Sequence, residues 1–410
     1  MYALYFGLPV FLRQRFTRAA YIASPVISEV AITAALLLVL VGLAGFYVGY
    51  YLMRGGERAQ LYASTRGVWS IAMTVLLGAA GTSAYVVQLR ITLVSELQQV
   101  VELVSSLMIL AACLGYVAAM DAGRRRPFAL LALVMLIGAR FVLGLGTGSP
   151  AQFYQILIPL LMLAAVRRRR IPVELAVVGL LIFLPVQAAK FQFREAWWVG
   201  DRTAPASPWS AGAAYIGLAI DATSSMDLDI AIDGLSSRLG YLTTLADVLE
   251  LTPSQIPYWG GQTLLPLATK LVPRFLWPSK PVEVTGQTFG HRYGFLQPWD
   301  TATSYNMPHI IELYVNWGVI GVVIGMVILG GVYGIIHRVS VPPAYGWERL
   351  ATAAYTMGGL VLIESGISQT ISGVLYRAAF VFFLGTMLVG PSSLALRRRQ
   401  PRSVSLGSTP

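Results

Sequence analysis

Apolar runs of membrane-spanning length alternate with short polar connections along most of this chain. A bilayer core about 30 Å thick needs roughly 20 residues of apolar helix. Runs of that order lie near 28–53, 68–89, 97–120, 127–146, 171–190, 308–336 and 350–370, with shorter ones at 150–166 and 376–391. The pattern predicts an all-α polytopic membrane protein with about nine or ten transmembrane helices. It divides the chain into N-terminal helices (1–190), one large connection (191–307), C-terminal helices (308–391) and a polar tail (392–410). Met1 to Leu12 are apolar but too short to cross, and they lack the charged start and cleavage site of a signal peptide. They read as an interfacial helix or as the remnant of a further span. Within the connection, Leu235, Leu239, Leu242, Leu245 and Leu249 recur at helical steps, which predicts an amphipathic helix lying on the membrane or on the protein. Residues 209–220 are apolar over too few positions to span, so they are expected to rest at the interface or to re-enter.

Composition agrees with this pattern. The 410 residues are 56% hydrophobic and 12% charged, with a mean hydropathy of +0.65, whereas soluble domains carry about 25% charged residues. A soluble enzyme, a disordered chain and a small disulfide scaffold are excluded. The formal charge of +11 would suit nucleic acid, but the charges are sorted by position and report topology instead. Arg54, Arg58 and Arg66, then Arg124 to Arg126, Arg167 to Arg170, Arg338 and Arg349, and Arg397 to Arg399 fall in alternate connections, and the intervening ones are nearly bare. These basic connections are expected in the cytoplasm, with Arg13, Arg15 and Arg18 in conflict unless a preceding span restores them. Residues 191–307 then lie on the extracytoplasmic face, and there ten acidic residues outnumber seven basic ones. A single cysteine, Cys113, leaves no intrachain disulfide.

Candidate chemistry gathers late in that connection. Pro273-Arg274-Phe275-Leu276-Trp277-Pro278-Ser279-Lys280-Pro281 reads as a rigid turn that presents Arg274 and Lys280 among aromatics. Such a turn either grips phosphate, Arg by a bidentate fork and Lys as a point charge, or anchors to anionic headgroups. Gly286 to Gly294 follows and contains His291 and Arg292. His309, Glu312 and Asn316 share one face at the start of a span. An ionisable Glu there is a functional candidate, or else it pairs with an arginine or reaches back to the interface. Arg140, Glu364 and Arg377 lie toward the same end of their spans. Glu96 and Glu102 bracket the start of the third span, where pairing with arginine is the plainer reading beside a functional one, and Glu174 reads as a partner of Arg167 to Arg170. Asp227-Leu228-Asp229 is too common a pattern to carry a metal assignment. His291, His309 and His337 cannot form one zinc site, because His337 belongs to the opposite face. No phosphate-binding Walker motif occurs.

The stretch from Arg238 through Gly318 resembles the bacterial Wzy-type oligosaccharide repeat-unit polymerases of O-antigen and exopolysaccharide. The residues that carry the likeness are Arg238 with its helix, Thr252-Pro253, Ile256-Pro257-Tyr258, Gly260-Gly261, Pro273 to Pro278 with Lys280-Pro281, and Glu312-Leu313-Tyr314-Val315-Asn316-Trp317-Gly318. The Arg-x10-Gly spacing of some members is absent, since Leu249 and Thr285 stand eleven residues after Arg238 and Arg274. The resemblance implies a metal-independent glycosyltransferase without cofactor, embedded in the bacterial inner membrane with its site facing the periplasm. Its donor would be a growing glycan on undecaprenyl pyrophosphate and its acceptor a lipid-linked repeat unit. Lipid bilayer and a chain-length regulator are the implied partners, and nucleic acid is not. On this expectation Arg274 and Arg238 hold the pyrophosphate, supported by Arg140 or Arg377, while Lys280 and Arg292 guide the glycan. Glu312 is the first candidate for general base, then His309 or His291. An O-antigen ligase with a lipid A core acceptor, or a transporter or flippase without catalysis, remain alternatives.

Overall fold

A computed structural model describes residues 3–7, 27–55, 60–61, 71–91, 94–121, 126–149, 151–170, 172–196, 207–224, 240–274, 276–301, 303–340, 344–345, 347–361 and 363–389. Among these, seven helices are long and apolar enough to cross a membrane. The chain is an all-α polytopic membrane protein. Its helices are α1 (Glu29–Met53), α2 (Ile71–Arg90), α3 (Ser95–Ser105), α4 (Leu107–Asp121), α5 (Arg126–Leu145), α6 (Ala151–Arg168) and α7 (Val173–Arg194), then α8 (Pro208–Ser224), α9 (Tyr241–Leu251), α10 (Leu265–Lys270), α11 (Thr285–Arg292), α12 (His309–Ser340), α13 (Trp347–Met357) and α14 (Ile367–Val389). Two-residue strands β1 (Gln60–Leu61) and β2 (Ala344–Tyr345) pair in parallel and tie the connection after α1 to the one after α12.

Helices α1 and α12 form the closest seam. With no hydrophobic gain to be had between helices in lipid, small residues let backbones approach. A side chain at Gly49 would collide with the Val327 carbonyl, and Gly42 faces Val322 while Gly334 faces the Tyr50 carbonyl. The pairing order (42 with 322, 50 with 334) means that α1 and α12 run parallel. An odd number of traverses must therefore lie between them. Helices α2, the α3–α4 pair, α5 and α7 supply four, all among the spans identified by length and composition, and α6, kept in the core by Ile156, Leu160 and Leu163, supplies the fifth. Pro159 lies inside α6.

Three apolar clusters fill the bundle. One joins α1, α9, α11 and the first half of α12. A second joins α2, α4, α5, α6 and α13. A third packs α8 against α5 and α7 around the buried Tyr215, whose hydroxyl donates to the Val186 carbonyl (2.7 Å). The apolar segment at 209–220 thus belongs to the bundle. The leucine stripe lies on the protein: α9 buries Leu242, Leu245 and Val248 against α1, while Leu235 and Leu239 fall outside the described residues. Tyr5 and Phe6, in a short π-helical turn (Ala3–Gly7), are also buried in that core rather than laid on an interface.

Two expected spans differ in form. The third bends at Ser106, where α3 ends and α4 begins. The run at 350–370 is no single helix: α13 stops at Met357, a 3-10 turn covers Gly358–Val361, and α14 starts afresh at Ile367. Gly358-Gly359 and Ser365-Gly366 are poor helix formers, and packing against α6 and α12 decides the path instead.

Candidate functional site

At the end where α12 begins, the bundle holds a half-open cavity of about 990 Å³. Its walls come from distant parts of the chain: α2, α3 and the start of α4, Arg140 near the C-terminal end of α5, α6, the segment 262–283, and α14. Helix α3 explains one wall. Leu97 and Val100 are exposed on its outer side, while Gln98, Gln99, Glu102 and Ser105 face the cavity. Gln99 Oε1 accepts from the Arg274 backbone N–H (3.0 Å), which fastens the proline-rich turn to this wall.

Five cations line the space, Arg140, Lys270, Arg274, Lys280 and Arg377, against two carboxylates, Glu102 and Glu283. Arg140 is only 3% exposed; it donates to Gln155 Oε1 (3.0 Å), and its guanidinium lies 4.0 Å from the Tyr85 ring centroid. Arg274 turns its guanidinium back on its own loop, donating to the carbonyls of Lys280 (2.8 Å), Pro278 and Pro281 (both 3.4 Å). Lys280, 9% exposed, donates to the Val272 carbonyl (2.9 Å). Prolines leave carbonyls without matching N–H partners nearby, and these two cations satisfy them. Burial, and then the charges of Arg274 and Lys270, hold the Lys280 ammonium below the usual lysine pKa, with Glu283 opposing. Lys270 pairs with Glu283, which also accepts from Ser368 Oγ (2.8 Å). Arg377 approaches the Tyr355 ring at 5.7 Å, and among the described residues its guanidinium has no hydrogen-bond acceptor. Six glutamines complete the lining: Gln88, Gln98, Gln99, Gln155, Gln262 and Gln369.

Of the residues expected from sequence, Arg140, Arg274, Lys280 and Arg377 therefore meet in one cavity. The expected bases do not line it. Glu312, 1% exposed, accepts from the Ile367 backbone N–H (2.6 Å) at the first turn of α14. A carboxylate there satisfies an orphan donor and opposes the positive helix end. His309 is buried beside Thr370 Oγ1 (3.3 Å). Asn316 bonds the Glu312 carbonyl (2.7 Å), Thr263 Oγ1 (2.8 Å) and the Gly261 N–H (2.7 Å). This polar face, read from sequence as a reaction centre, locks α12 to the segment 259–263 and to α14. Two α12 carbonyls, those of Val315 and Asn316, freed where the helix breaks at Gly318 (φ 66°, ψ −153°), accept from the backbone N–H groups of Trp259 (2.9 Å) and Gly260 (3.2 Å). His291 and Arg292 also lie away from the cavity, and Arg292 donates to the Pro257 carbonyl (3.1 Å) and covers the Trp259 ring. Glu364 receives Tyr5 and Asn306 rather than facing the cavity, and Glu174 pairs with Arg168. Arg238, Asp227 and Asp229 fall outside the described residues.

The glutamines, Tyr85 and the Lys270–Glu283 pair escaped sequence reasoning. Gln98-Gln99 at the start of a span was the available signal, because two amides there have no reason to face lipid. Among the described residues no three His, Cys, Asp or Glu side chains are grouped so as to hold a metal ion. No curated protein and no solved structure matches the chain. A family model matches residues 13–386, nearly the whole length, and the chain belongs to that family, a domain of unknown function (DUF8712).

Proposed function

We propose that this protein is a glycosyltransferase of the metal-independent, membrane-embedded kind, which joins undecaprenyl-pyrophosphate-linked oligosaccharide repeat units into a surface polysaccharide on the outer face of the bacterial inner membrane. The observation that carries this reading is the pairing, in one cavity, of five cations with six glutamines. A guanidinium presents its donors to pyrophosphate oxygens in a fixed fork. An amide both donates and accepts, which suits the hydroxyls of a sugar chain. The cavity is also at the upper end of the ~300–1,000 Å³ usual for ligand sites.

In the reaction the acceptor's sugar hydroxyl attacks the anomeric carbon of the donor, and the bond from that carbon to the lipid pyrophosphate breaks. The bonding pair leaves with the pyrophosphate, so negative charge grows there and cations placed in advance stabilise it. Arg377, whose donors meet no acceptor among the described residues, is the leading group for this task, with Arg140 and Lys280 in the same lining. Arg274 contributes charge and holds the turn, its own hydrogen bonds being spent on carbonyls.

The test is to incubate the purified protein in liposomes with lipid-linked repeat units and no nucleotide sugar, and to separate the products by size. A ladder of lengthening chains is expected. Repeat units of several sugar compositions that all stay one unit long would overturn the reading.

A further inference from the structure

The two carboxylates in the cavity are in opposite states. Glu283 is neutralised by Lys270 and further held by Ser368. Glu102 is exposed to the cavity and receives one side-chain hydrogen bond, from Gln98 Nε2 at 3.3 Å. Among the described residues no Arg, Lys or His pairs with it, although five cations share the lining. The cations around it are held elsewhere. Arg274 and Lys280 are tied to backbone carbonyls, Lys270 to Glu283, and Arg140 to Gln155 and the Tyr85 ring. Its backbone is fixed, since the Glu102 carbonyl accepts from Ser105 Oγ (2.8 Å) and from the Ser106 N–H (3.1 Å), and α3 is fastened through Gln99 to Arg274. Among the described residues the cavity thus keeps one strong acceptor, Glu102, without a cationic partner, and one strong donor, Arg377, without a hydrogen-bond acceptor.

We infer that Glu102 is the general base of the transfer, a role that rests on the glycosyltransferase reading. A Glu102 carboxylate oxygen takes the proton of the acceptor hydroxyl as the new bond from oxygen to the anomeric carbon forms. The donor's bond to pyrophosphate breaks at the same centre, and its electron pair departs with the pyrophosphate toward Arg377. The proton on Glu102 then passes to water, and the carboxylate is restored.

Glu102→Gln keeps the side chain's size and its acceptor oxygen but cannot take a proton. General-base catalysis contributes about 10²- to 10⁴-fold, so this variant is expected to lose at least ~10²-fold in elongation rate while still binding the lipid-linked repeat unit, as followed by a ligand-induced rise in melting temperature. In the wild type the rate should climb with pH as the carboxylate ionises, and that limb should vanish in Glu102→Gln. Added formate or azide should partly restore Glu102→Ala, a rescue that a structural role would not show. The inference is overturned if the wild type makes a ladder and Glu102→Gln elongates within a few-fold of it, or if formate and azide fail while bound substrate is retained. A wild type that makes no ladder overturns the underlying reading as well.

Discussion

The Lys280 ammonium is under burial and the push of Arg274 and Lys270, so it sheds its proton at lower pH than an ordinary lysine at 10.5. A bound anion favours the protonated form. Affinity for inorganic pyrophosphate should therefore fall as pH rises through this lowered pKa, before an unperturbed lysine would respond. For folding the sign is reversed: the group is least unfavourable above the unfolded value and costs stability as pH falls through the folded pKa. Lys280→Arg, charged throughout, should keep pyrophosphate affinity flat over the alkaline range. Titration of both proteins by calorimetry between neutral pH and 10.5 checks this, and matching curves would count against it. Glu312 makes a different case. Its carboxylate meets the Ile367 N–H at the α14 start, so Glu312→Gln should lower stability by about 1 kcal/mol through the lost helix-end charge. Glu312→Leu also leaves a buried donor unpaired, and should cost about 1–3 kcal/mol. Elongation per folded molecule should stay near wild type in Glu312→Gln, with thermal melting in detergent supplying the folded fraction. A selective loss of turnover at unchanged melting temperature would return Glu312 to catalysis.

At the scale of elements, the spans were legible because lipid demands continuous apolar helix, and a hydropathy sum registers that demand directly. The breaks were not. Gly318 stands in a glycine-rich span and reads in sequence like Gly321 or Gly325; only the pairing of Trp259 and Gly260 with the carbonyls of Val315 and Asn316 singles it out. Likewise the run at 350–370 sums to a span although α13 ends at Met357, because apolar glycines and a short turn lower the sum very little. The α12 break yields a test. Gly318 lies in a backbone region that is essentially glycine-only, and a Cβ there would come within 2.7 Å of the Tyr258 hydroxyl. Gly318→Ala should therefore cost about 1–3 kcal/mol, before any loss from the displaced Trp259 segment. Gly217→Ala in α8, whose Cβ would meet open space, should leave the melting temperature unchanged or slightly raised. Equal melting of the two variants would mean that the break does not hold the fold.

Across the whole molecule, the cavity was half legible. Arg140 and Arg377 announced themselves because charges inside spans are costly and have to converge on something polar. Glu102 reads in sequence most simply as an arginine partner, because sequence cannot show that nearby cations are spent on carbonyls and on Glu283. The parallel run of α1 and α12 makes the sidedness of the bundle a single binary question. Trp299, 77% exposed, lies just before α12 at the cavity end. Arg54 follows α1 at the far end, where the next residue, Gly55, packs against the Arg338 side chain. The excess of arginine in the far-end connections predicts that this end is cytoplasmic. Cys113 is fully buried, so the native chain offers no background thiol to a bulky reagent. In intact cells an impermeant maleimide should label Trp299→Cys and spare both Arg54→Cys and the native chain, and Arg54→Cys should become reactive once the membrane is opened. The reverse pattern would put the cavity on the cytoplasmic side, where a polymerase of outer-leaflet lipid-linked glycans has no substrate, so this labelling bears on the chemistry as directly as on the topology.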